Sequence, residues 1–470
     1  MKNCIKLILL LSVSFSSFPV SANFDSALEL YNKNNYPEAF YAFKNLAYIG
    51  DKSSQFNLGV MYFRGEYVEQ DILEAYAWMN VAAENGDESF IRTSKILFKR
   101  LTEKEKHAAT DHAKRYIKKY GRESLKVALA PKPLSDADCE QDVSLISMKK
   151  PKYPRAEEQR GQIGFVEIVT NVSPQGYARD ISLRSMTAKG FLNPAVKSAM
   201  SARWEPKIVS NNKVSNRGVL YRFTFAGYED AEYKTKKFVK EANKKLSKAE
   251  SGDVQSQYEY AQTIDVARIM KLDIDDLDVE YQTSNQWYLQ SAHKGHSLAQ
   301  YELGKNMLAG KGCEADRETG LKWLRAAALS GHPYAQEEIA MSTIGDGVSD
   351  VQRAILWLRK AASSDIYAPK LFLAWELAAN PSPEIRDGQE ALRLLAAKPE
   401  YYFDPVRVYE TKAAAYAETG DYDAAIKWQK KALKKAAKLK WNIAVMEGRL
   451  AAYTSSSNWQ GEYHVPESER

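Results

Sequence analysis

"AQYELGKNMLAGKGCEADRETGLKWLRAAALSGHPYAQEEIA", residues 299–340, repeats its own opening, because Ala299-Gln300 recurs as Ala335-Gln336 after 36 positions. Nearly the same interval separates three tryptophans, Trp287, Trp323 and Trp357. A fixed period of this length is typical of stacked helix-turn-helix units, since one such unit cannot bury its apolar face alone. The sequence therefore predicts a mainly α fold, an α-solenoid of helix-turn-helix repeats.

An earlier copy of the unit, "SQFNLGVMYFRGEYVEQDILEAYAWMNVAAENGD", occupies residues 54–87. We expect small residues where its two helices approach closely, tryptophan between successive pairs, and glycine at the left-handed cap that ends a helix. The corresponding positions are Leu58-Gly59, Tyr62, Gly65, Asp71, Ala75, Trp78 and Ala82-Ala83. The units resemble the Sel-one-like repeat family, a relative of tetratricopeptide repeats.

The pattern changes towards the C-terminus, where "YAETGDYDAAIKWQKKAL", residues 416–433, resembles a tetratricopeptide repeat. Its helix-contact positions are Tyr416, Gly420, Tyr422, Ala424-Ala425 and Ala432. The solenoid should therefore continue to about residue 453, ahead of a loose tail. In the N-terminal array, Thr102 and Glu105 have the spacing of a capping box and predict the start of a closing helix.

Residues 139–229 interrupt this helical pattern. In "GFVEIVTNVSPQGYARDISL", residues 164–183, the apolar period falls to two, which predicts two strands around a turn at 173–176. Asn193-Pro194 is a typical helix start, and residues 217–225 alternate as a closing strand. The interruption is thus predicted to be one inserted small α+β domain of order β-β-α-β. Its apolar positions are Val166, Ile168, Val172, Ala178, Ile181, Leu183, Ala195, Val196, Ala199 and Met200.

This insert resembles the TonB C-terminal domain. The matching residues are Pro151, Tyr153-Pro154, Ala156, Gly161, Gly164, Val166, Ile168, Val172, Gly176, Asp180, Ile181, Phe191, Ala195, Ala199, Trp204, Pro206 and the final strand. One departure is Ala202, which stands where the family usually has the first of two aromatic residues. The resemblance implies a periplasmic protein of a Gram-negative bacterium that pairs a partner's extended segment onto a sheet edge.

The candidate partner-binding edge is the closing strand, because unpaired backbone groups at a sheet edge can accept an incoming strand. Its residues are Arg217, Val219, Leu220, Tyr221, Arg222, Phe223, Thr224 and Phe225. The alternative is that this strand serves only the core. Both can hold, because strand addition uses the backbone while side chains pack inward. The partner would be an extended segment of an outer-membrane receptor or another envelope protein, and strand exchange could also give a dimer.

The first residues have the three parts of a secretory signal peptide. Lys2 and Lys6 precede the short apolar run Leu7–Phe15, and small residues at 20–22 predict cleavage between Ala22 and Asn23. Export to the periplasm follows, with no transmembrane span after cleavage. The alternative is an uncleaved anchor in the inner membrane, with the protein facing the periplasm.

Two functions follow from these patterns. The first is a non-catalytic periplasmic scaffold or adaptor for protein–protein interaction, in which the solenoid binds one partner and the insert another. The second is an energy transducer of the TonB type in TonB-dependent outer-membrane transport. Against the second, only Pro131 and Pro133 punctuate the segment ahead of the insert, where a long Pro-rich spacer would be needed.

The sequence gives no positive sign of catalysis, cofactor or metal binding. The chain has 470 residues with a net charge of +6, a weak basic excess that does not argue for nucleic acid. His293 and His296 lack a third ligand nearby and are predicted to lie in a solvated turn. Lysines in residues 233–250 are expected on a solvated helix face, with contact to an anionic surface as the alternative. Whether Cys139 and Cys313 form a disulfide stays open.

The predicted organisation has seven parts. They are a signal peptide (1–22), N-terminal Sel-one-like repeats (23–128), a linker (129–138), the TonB-like domain (139–229), further Sel-one-like repeats (230–365), tetratricopeptide-like repeats (366–455) and a tail (456–470).

Overall fold

The computed structural model describes residues 22–84, 86–132, 144–160, 164–209, 212–214, 216–225, 231–269, 278–343, 348–397 and 402–461. Most of the predicted signal peptide and Cys139 lie outside these residues. Within the described ranges, no helix combines the length and the apolar character needed to cross a bilayer.

The chain is mostly helical, as predicted, with a small group of strands in the middle. The helices are α1 (Ala22–Asn32), α2 (Tyr36–Ala47), α3 (Lys52–Arg64), α4 (Ile72–Ala83), α5 (Glu88–Lys99), α6 (Glu103–Tyr120), α7 (Arg122–Ala128), α8 (Arg155–Gln159), α9 (Leu192–Ala199), α10 (Ala231–Glu250), α11 (Val254–Ile269), α12 (Tyr281–His293), α13 (Ser297–Ala309), α14 (Arg317–Leu329), α15 (Pro333–Thr343), α16 (Val348–Ala362), α17 (Tyr367–Ala379), α18 (Gly388–Leu395), α19 (Pro405–Glu418), α20 (Tyr422–Lys438) and α21 (Ala444–Thr454). The strands are β1 (Leu145–Ser147), β2 (Gly164–Val172), β3 (Ala178–Met186), β4 (Arg203–Trp204), β5 (Lys207–Val209), β6 (Asn212–Val214) and β7 (Asn216–Phe225).

The described residues divide into two compact units, and each unit joins stretches that are far apart in the sequence. The all-helical unit contains residues 22–132 together with 235–339. The mixed unit contains residues 144–225 together with 340–461, so the inserted strands belong with the C-terminal helices.

In the all-helical unit, glycines allow paired helices to approach closely, as the repeat pattern predicted. A Cβ built on Gly304 of α13 would lie 2.9 Å from the carbonyl oxygen of Gly320 on α14. A Cβ built on Gly320 would likewise lie 2.9 Å from the carbonyl oxygen of Gly304. Gly59 has the same relation to Ala75 in the earlier copy. Trp323 is fully buried, and Gly65 ends α3 in the left-handed conformation. The capping box of Thr102 and Glu105 is formed at the start of α6.

A buried glutamine closes four of the turns between helices of this unit. Its side-chain Nε2 donates to the carbonyl oxygen of an alanine eight residues earlier, at 3.0–3.2 Å. The pairs are Gln55–Ala47, Gln257–Ala249, Gln300–Ala292 and Gln336–Ala328. This bond explains the recurring Ala-Gln step, because it ties the last turn of one helix to the first turn of the next.

The first residues of the predicted linker are docked on the second array of the all-helical unit. Trp323 Nε1 donates to the carbonyl oxygen of Leu129 at 3.2 Å, and the Glu314 amide donates to that of Lys132 at 3.0 Å. Leu129 itself is buried. This side chain is therefore core, although the sequence placed it in a linker.

The β-domain, defined here as residues 144–225, contains the predicted strand-strand-helix-strand order with short extra strands. β2, β3 and β7 form an antiparallel sheet of order β3-β2-β7, while β1–β4 and β5–β6 form two small pairs. One face of the larger sheet packs on α9. The buried core residues there include Val166, Ile168, Val172, Ala178, Ile181, Phe191, Ala195, Val196, Ala199, Trp204, Phe223 and Phe225.

Two local features of the β-domain differ from the predictions. The helix begins at Leu192 rather than at a cap on Asn193, because a 3₁₀ turn over Lys189–Phe191 leads directly into it. Pro194 thus lies within the first helical turn, where a missing N–H costs no helical bond. In β3, Asp180 has φ of +51°, and the register with β2 shifts nearby. This irregularity lets Ala178 and Ile181, three residues apart, both face the core.

The start of the C-terminal tail is packed rather than loose. Trp375 Nε1 donates to the carbonyl oxygen of Gly461 at 3.2 Å, and the Gly461 amide donates to that of Ala379 at 2.8 Å. Tyr422 also donates to Asn458 at 2.9 Å. Residues 455–461 therefore pack against α17 and α20, and the tail expected to be loose after residue 459 is bonded to the fold at Gly461.

Candidate partner-binding edge of the β-domain

The candidate strand β7 lies at one edge of the three-stranded sheet. It pairs antiparallel with β2 in an unbroken register from Gly164 opposite Phe225 to Thr170 opposite Val219. Among the described residues, no other strand pairs with β7. Its outer side is therefore an unpaired strand edge in the part of the chain that the structure describes.

The register shows which backbone groups of β7 point outward. Phe165 of β2 uses both its backbone groups on the β3 side, because its amide donates to Thr187 Oγ1 at 2.8 Å and its carbonyl accepts from the Thr187 amide at 3.0 Å. Thr224 lies opposite Phe165, so this is a non-hydrogen-bonded pair of the β2–β7 ladder. The N–H and C=O of Thr224 therefore point away from β2. Because hydrogen-bonded and non-hydrogen-bonded pairs alternate along the ladder, the N–H and C=O of Arg222 and Leu220 also point away from β2.

The side chains of β7 mostly serve the domain itself. Phe223 and Phe225 are buried against α9, and Val219 and Tyr221 are half-buried beside them. Thr224 is exposed. The side chains of Arg217 and Leu220 lie outside what the structure describes. Both interpretations of the strand, as core and as edge, are thus compatible with its geometry.

Arg222 fixes the strand to β2 on the face opposite α9. Its guanidinium contacts Glu167 Oε1 at 2.7 Å and lies over the Phe165 ring, 3.9 Å from the centroid. Burial lowers the pKa of Arg222, and the carboxylate of Glu167 opposes this shift. The pair holds β7 in register without using the outward backbone groups.

The opposite edge of the sheet, β3, is covered by the segment that leads into α19. The Phe403 amide donates to the Ile181 carbonyl at 2.7 Å, and Ser182 forms an isolated antiparallel bridge with Tyr402. The Tyr402 hydroxyl donates to Asp180 Oδ1 at 2.7 Å. A piece of the chain itself thus occupies this edge.

A buried ionic network reinforces the covered edge. Arg179 Nε lies 2.7 Å from Asp404 Oδ2, and the two side chains are 8% and 2% exposed. Arg179 also lies 3.9 Å from Glu410, which forms a second buried pair with Arg449 at 2.6 Å. Asp404 additionally accepts from the Arg407 amide as the N-cap of α19. Each buried charge here faces an opposite charge, as burial requires.

A second contact joins the β2–β3 turn region to the end of α20. Tyr177 stacks on Trp441 with ring centroids 5.5 Å apart, and its hydroxyl accepts from the Asn442 amide at 2.9 Å. Arg203 donates to the Leu439 carbonyl at 2.7 Å. The β-domain is therefore held to the C-terminal helices through β3 and β4.

Sequence reasoning did not find these docking residues. Arg179 and Asp404 are 225 positions apart, and neither belongs to a local motif that would predict their pairing. The only local signal was Asp404-Pro405, an N-cap followed by proline, which marks the start of α19.

The two histidines of the predicted solvated turn differ: His293, at the end of α12, is exposed in line with the prediction, whereas His296 is not. His296 is buried and is the N-cap of α13, where its Nδ1 accepts from the Ala299 amide at 3.2 Å. Burial lowers its pKa to about 4. His332 occupies the equivalent position before α15 and accepts from the Ala335 amide. The described residues contain no group of three or more side chains that could hold a metal ion.

Cys313 is fully buried, and burial raises the pKa of its thiol to about 11. Such a thiol is a poor nucleophile at neutral pH. Whether it pairs with Cys139 stays open, because Cys139 lies outside the described residues.

Comparison with known proteins identifies the repeats. The Sel1 repeat family model matches residues 52–87, 297–332 and 333–365. The chain therefore contains Sel1 repeats, which generally mediate protein–protein interactions and are typically non-catalytic scaffolds. No curated protein matches the chain significantly.

Solved structures similar to this chain include two repeat proteins. One is a protective antigen present in uropathogenic Escherichia coli strains and displaying an SLR fold, with 17% identity, a TM-score of 0.34, and coverage of 93% of this chain and 73% of that one. The other is a Sel1 repeat protein from Oxalobacter formigenes, with 17% identity, a TM-score of 0.29, and coverage of 79% and 97%.

Proposed function

We propose that this protein is a non-catalytic periplasmic scaffold whose β-domain binds an extended segment of a partner protein along β7. The observation that carries the proposal is the outward-facing backbone of β7 at Leu220 and Thr224, on a side of the strand where no other described strand pairs. A peptide aligned there would complete the hydrogen-bond ladder of the sheet. The helical repeats would present a second surface to another protein.

Three further features support this function. The resemblance of residues 139–229 to the TonB C-terminal domain implies binding by strand addition. The other edge, β3, is already filled by Tyr402 and Phe403. The signal-peptide pattern before Asn23 implies export, and a repeat protein with two binding surfaces is suited to an adaptor role.

The proposal is tested by photo-crosslinking in living cells of the source organism. Single photoreactive residues replace Arg217, Leu220, Arg222 or Thr224, and the products are identified by mass spectrometry. We expect the capture of a defined envelope protein through an extended segment. Capture of the N-terminal segment of an outer-membrane receptor would instead favour the energy-transducer role in TonB-dependent transport.

A pair of variants makes this experiment specific to strand addition. With the probe at Leu220, Thr224→Pro removes an outward N–H, while Thr224→Val changes the side chain but keeps that N–H. We expect the proline variant to lose the crosslink and the valine variant to retain it. Equal capture in both variants would contradict strand addition, and crosslinks only between copies would indicate a dimer interface in place of a partner site.

A further inference from the structure

Helix α20 carries an unusual concentration of positive charge. Between Tyr422 and Lys438 it has six lysines and a single carboxylate, Asp423 in the first turn. The lysines are Lys427, Lys430, Lys431, Lys434, Lys435 and Lys438. The buried side of the helix is formed by Ala425, Gln429, Ala432 and Ala436.

The lysines lie on the side opposite these buried residues. At 100° per residue, Lys427, Lys431, Lys434 and Lys438 fall within one narrow stripe that faces away from Ala432 and Ala436. All four are exposed. The stripe runs for about 16 Å along the helix, since each residue adds about 1.5 Å.

Several lysines of other helices are paired with an acidic residue of the same helix. Lys322 pairs with Glu318 at 2.8 Å and Lys106 with Glu103 at 2.7 Å, in each case one helical turn away. Along α20, no lysine forms an ion pair with any carboxylate in the described part of the chain. The stripe is thus an uncompensated cationic face, which we call the lysine face (residues 427–438).

An aromatic ring with two cations lies at the border of the lysine face. The ammonium groups of Lys431 and Lys412 lie 3.8 and 4.8 Å from the centroid of the Trp428 ring, which also contacts Tyr409. Burial, and then the charge of Lys431, lower the pKa of Lys412. Positive charges of α19 and α20 therefore lie close together at this ring, and a bound anion would reduce the repulsion between them.

We propose that the lysine face docks on an anionic phospholipid surface. The stripe lies along one straight helix, and clusters of four to eight basic residues of this kind bind acidic lipids electrostatically. It contains lysine without arginine, which suits mobile headgroups better than the two-pronged recognition of one fixed carboxylate. Trp428 and Tyr409 are of the residue types enriched at membrane interfaces. This inference goes beyond the scaffold function, because it concerns where the scaffold is held.

The test is co-sedimentation of the full chain with vesicles that contain phosphatidylglycerol and phosphatidylcholine, compared with phosphatidylcholine alone. We expect binding only to the anionic vesicles, weakening as salt is added. Each lysine near the surface contributes about a fivefold gain in affinity. The triple variant K427Q/K434Q/K438Q should therefore bind roughly a hundredfold more weakly.

A matched control removes the same charge from another basic helix. Lys240, Lys244 and Lys248 of α10 are exposed, so K240Q/K244Q/K248Q leaves the lysine face intact. Circular dichroism confirms the fold of both variants. Full binding by the control supports the proposal, whereas equal losses in both variants, or loss only in the control, would overturn it. Failure to bind anionic vesicles would also overturn it, as would undiminished binding in the presence of excess inorganic phosphate and high salt.

Discussion

The two edges of the β-domain sheet differ in whether another part of the described chain covers them. The β3 edge is covered by residues 402–404, with a backbone bond from Phe403 to Ile181 and a buried ion pair between Arg179 and Asp404. The β7 edge has neither in the described part of the chain, and its outward groups at Leu220, Arg222 and Thr224 have no strand beside them. The domain thus uses one edge of its sheet for its own attachment, whereas no described strand covers the other.

The largest effect is expected from Asp404→Asn on the covered edge. Asparagine keeps the N-cap of α19 but leaves the buried charge of Arg179 without its closest partner. Removing one member of a buried pair costs about 3–5 kcal/mol. Hydrogen–deuterium exchange of peptides from β3 and from residues 402–410 should show this loss as faster exchange.

Glu318→Gln provides the control for that variant, because the Glu318 side chain is 83% exposed in its pair with Lys322. We expect it to cost less than about 0.5 kcal/mol. If Asp404→Asn were equally mild, the covered edge would be held by the strand contact alone, and the ionic network would not distinguish the two edges.

The second effect concerns the turn before β3. Gly176 has φ of +78°, and a Cβ there would lie 2.2 Å from the carbonyl oxygen of Trp204. Gly176→Ala should therefore cost at least about 2 kcal/mol, since the strained backbone adds to the clash. Gly331→Ala is the matched case, because its φ is +82° but nothing lies within 4 Å.

We expect Gly331→Ala to lower the free energy of unfolding by about 1 kcal/mol, because of the backbone conformation alone. Urea unfolding of both variants measures the difference. Equal costs would mean that β4 moves freely away from the turn, so that β3 is less rigidly placed than the covered edge requires.

The third effect is expected from Tyr402→Phe, which removes the buried hydrogen bond to Asp180. The loss should be about 1–2 kcal/mol at neutral pH, because Asp180 Oδ1 then lacks this buried donor. Urea unfolding at pH 8 measures this loss relative to the native chain.

The effect of Tyr402→Phe should also depend on pH. Burial, together with the charges of Asp180 and Asp404, raises the pKa of Tyr402 well above its ordinary value. The folded state therefore keeps the phenol neutral, and its contribution is complete below about pH 10 and is lost as the pH rises further. At pH 11 the native chain should lose about 1.4 kcal/mol that the variant does not, so the gap between them narrows. A gap that stays constant would show that Tyr402 titrates freely.

Local pattern was enough to predict the repeats and the order of the main strands. Gly59 and Gly65 have the predicted roles because each is set by contacts within one helix pair. Trp78 packs between neighbouring pairs, against Tyr48 and Tyr116, as its place in the repeat predicted. The alternation of apolar and polar residues in 164–172 likewise predicts which side of β2 packs on α9. Patterns of this kind depend on residues that are close together in the sequence, so they can be recognised before the three-dimensional structure is known.

The docking of the β-domain could not be predicted in this way. Arg179 and Asp404 are far apart in the chain, and an isolated arginine or aspartate is more often exposed than buried. The buried cap on His296 was also missed, because "HKGH" looks polar when its burial is unknown. The position of β7 at an edge was predicted through the family resemblance, but which of its backbone groups face outward required the pairing with β2.

The smallest effect is expected on the β7 edge. Thr224→Pro removes an N–H that points away from β2, so no bond of the existing sheet is lost, and edge strands tolerate proline for this reason. The exposed Thr224 side chain leaves no cavity. We expect the free energy of unfolding to fall by less than about 1 kcal/mol relative to Thr224→Val. By contrast, Phe403→Pro should cost clearly more than Phe403→Ala, because the Phe403 amide donates to Ile181. If the two prolines were equally costly, Thr224 would already be bonded within the fold, and β7 would be a closed edge like β3.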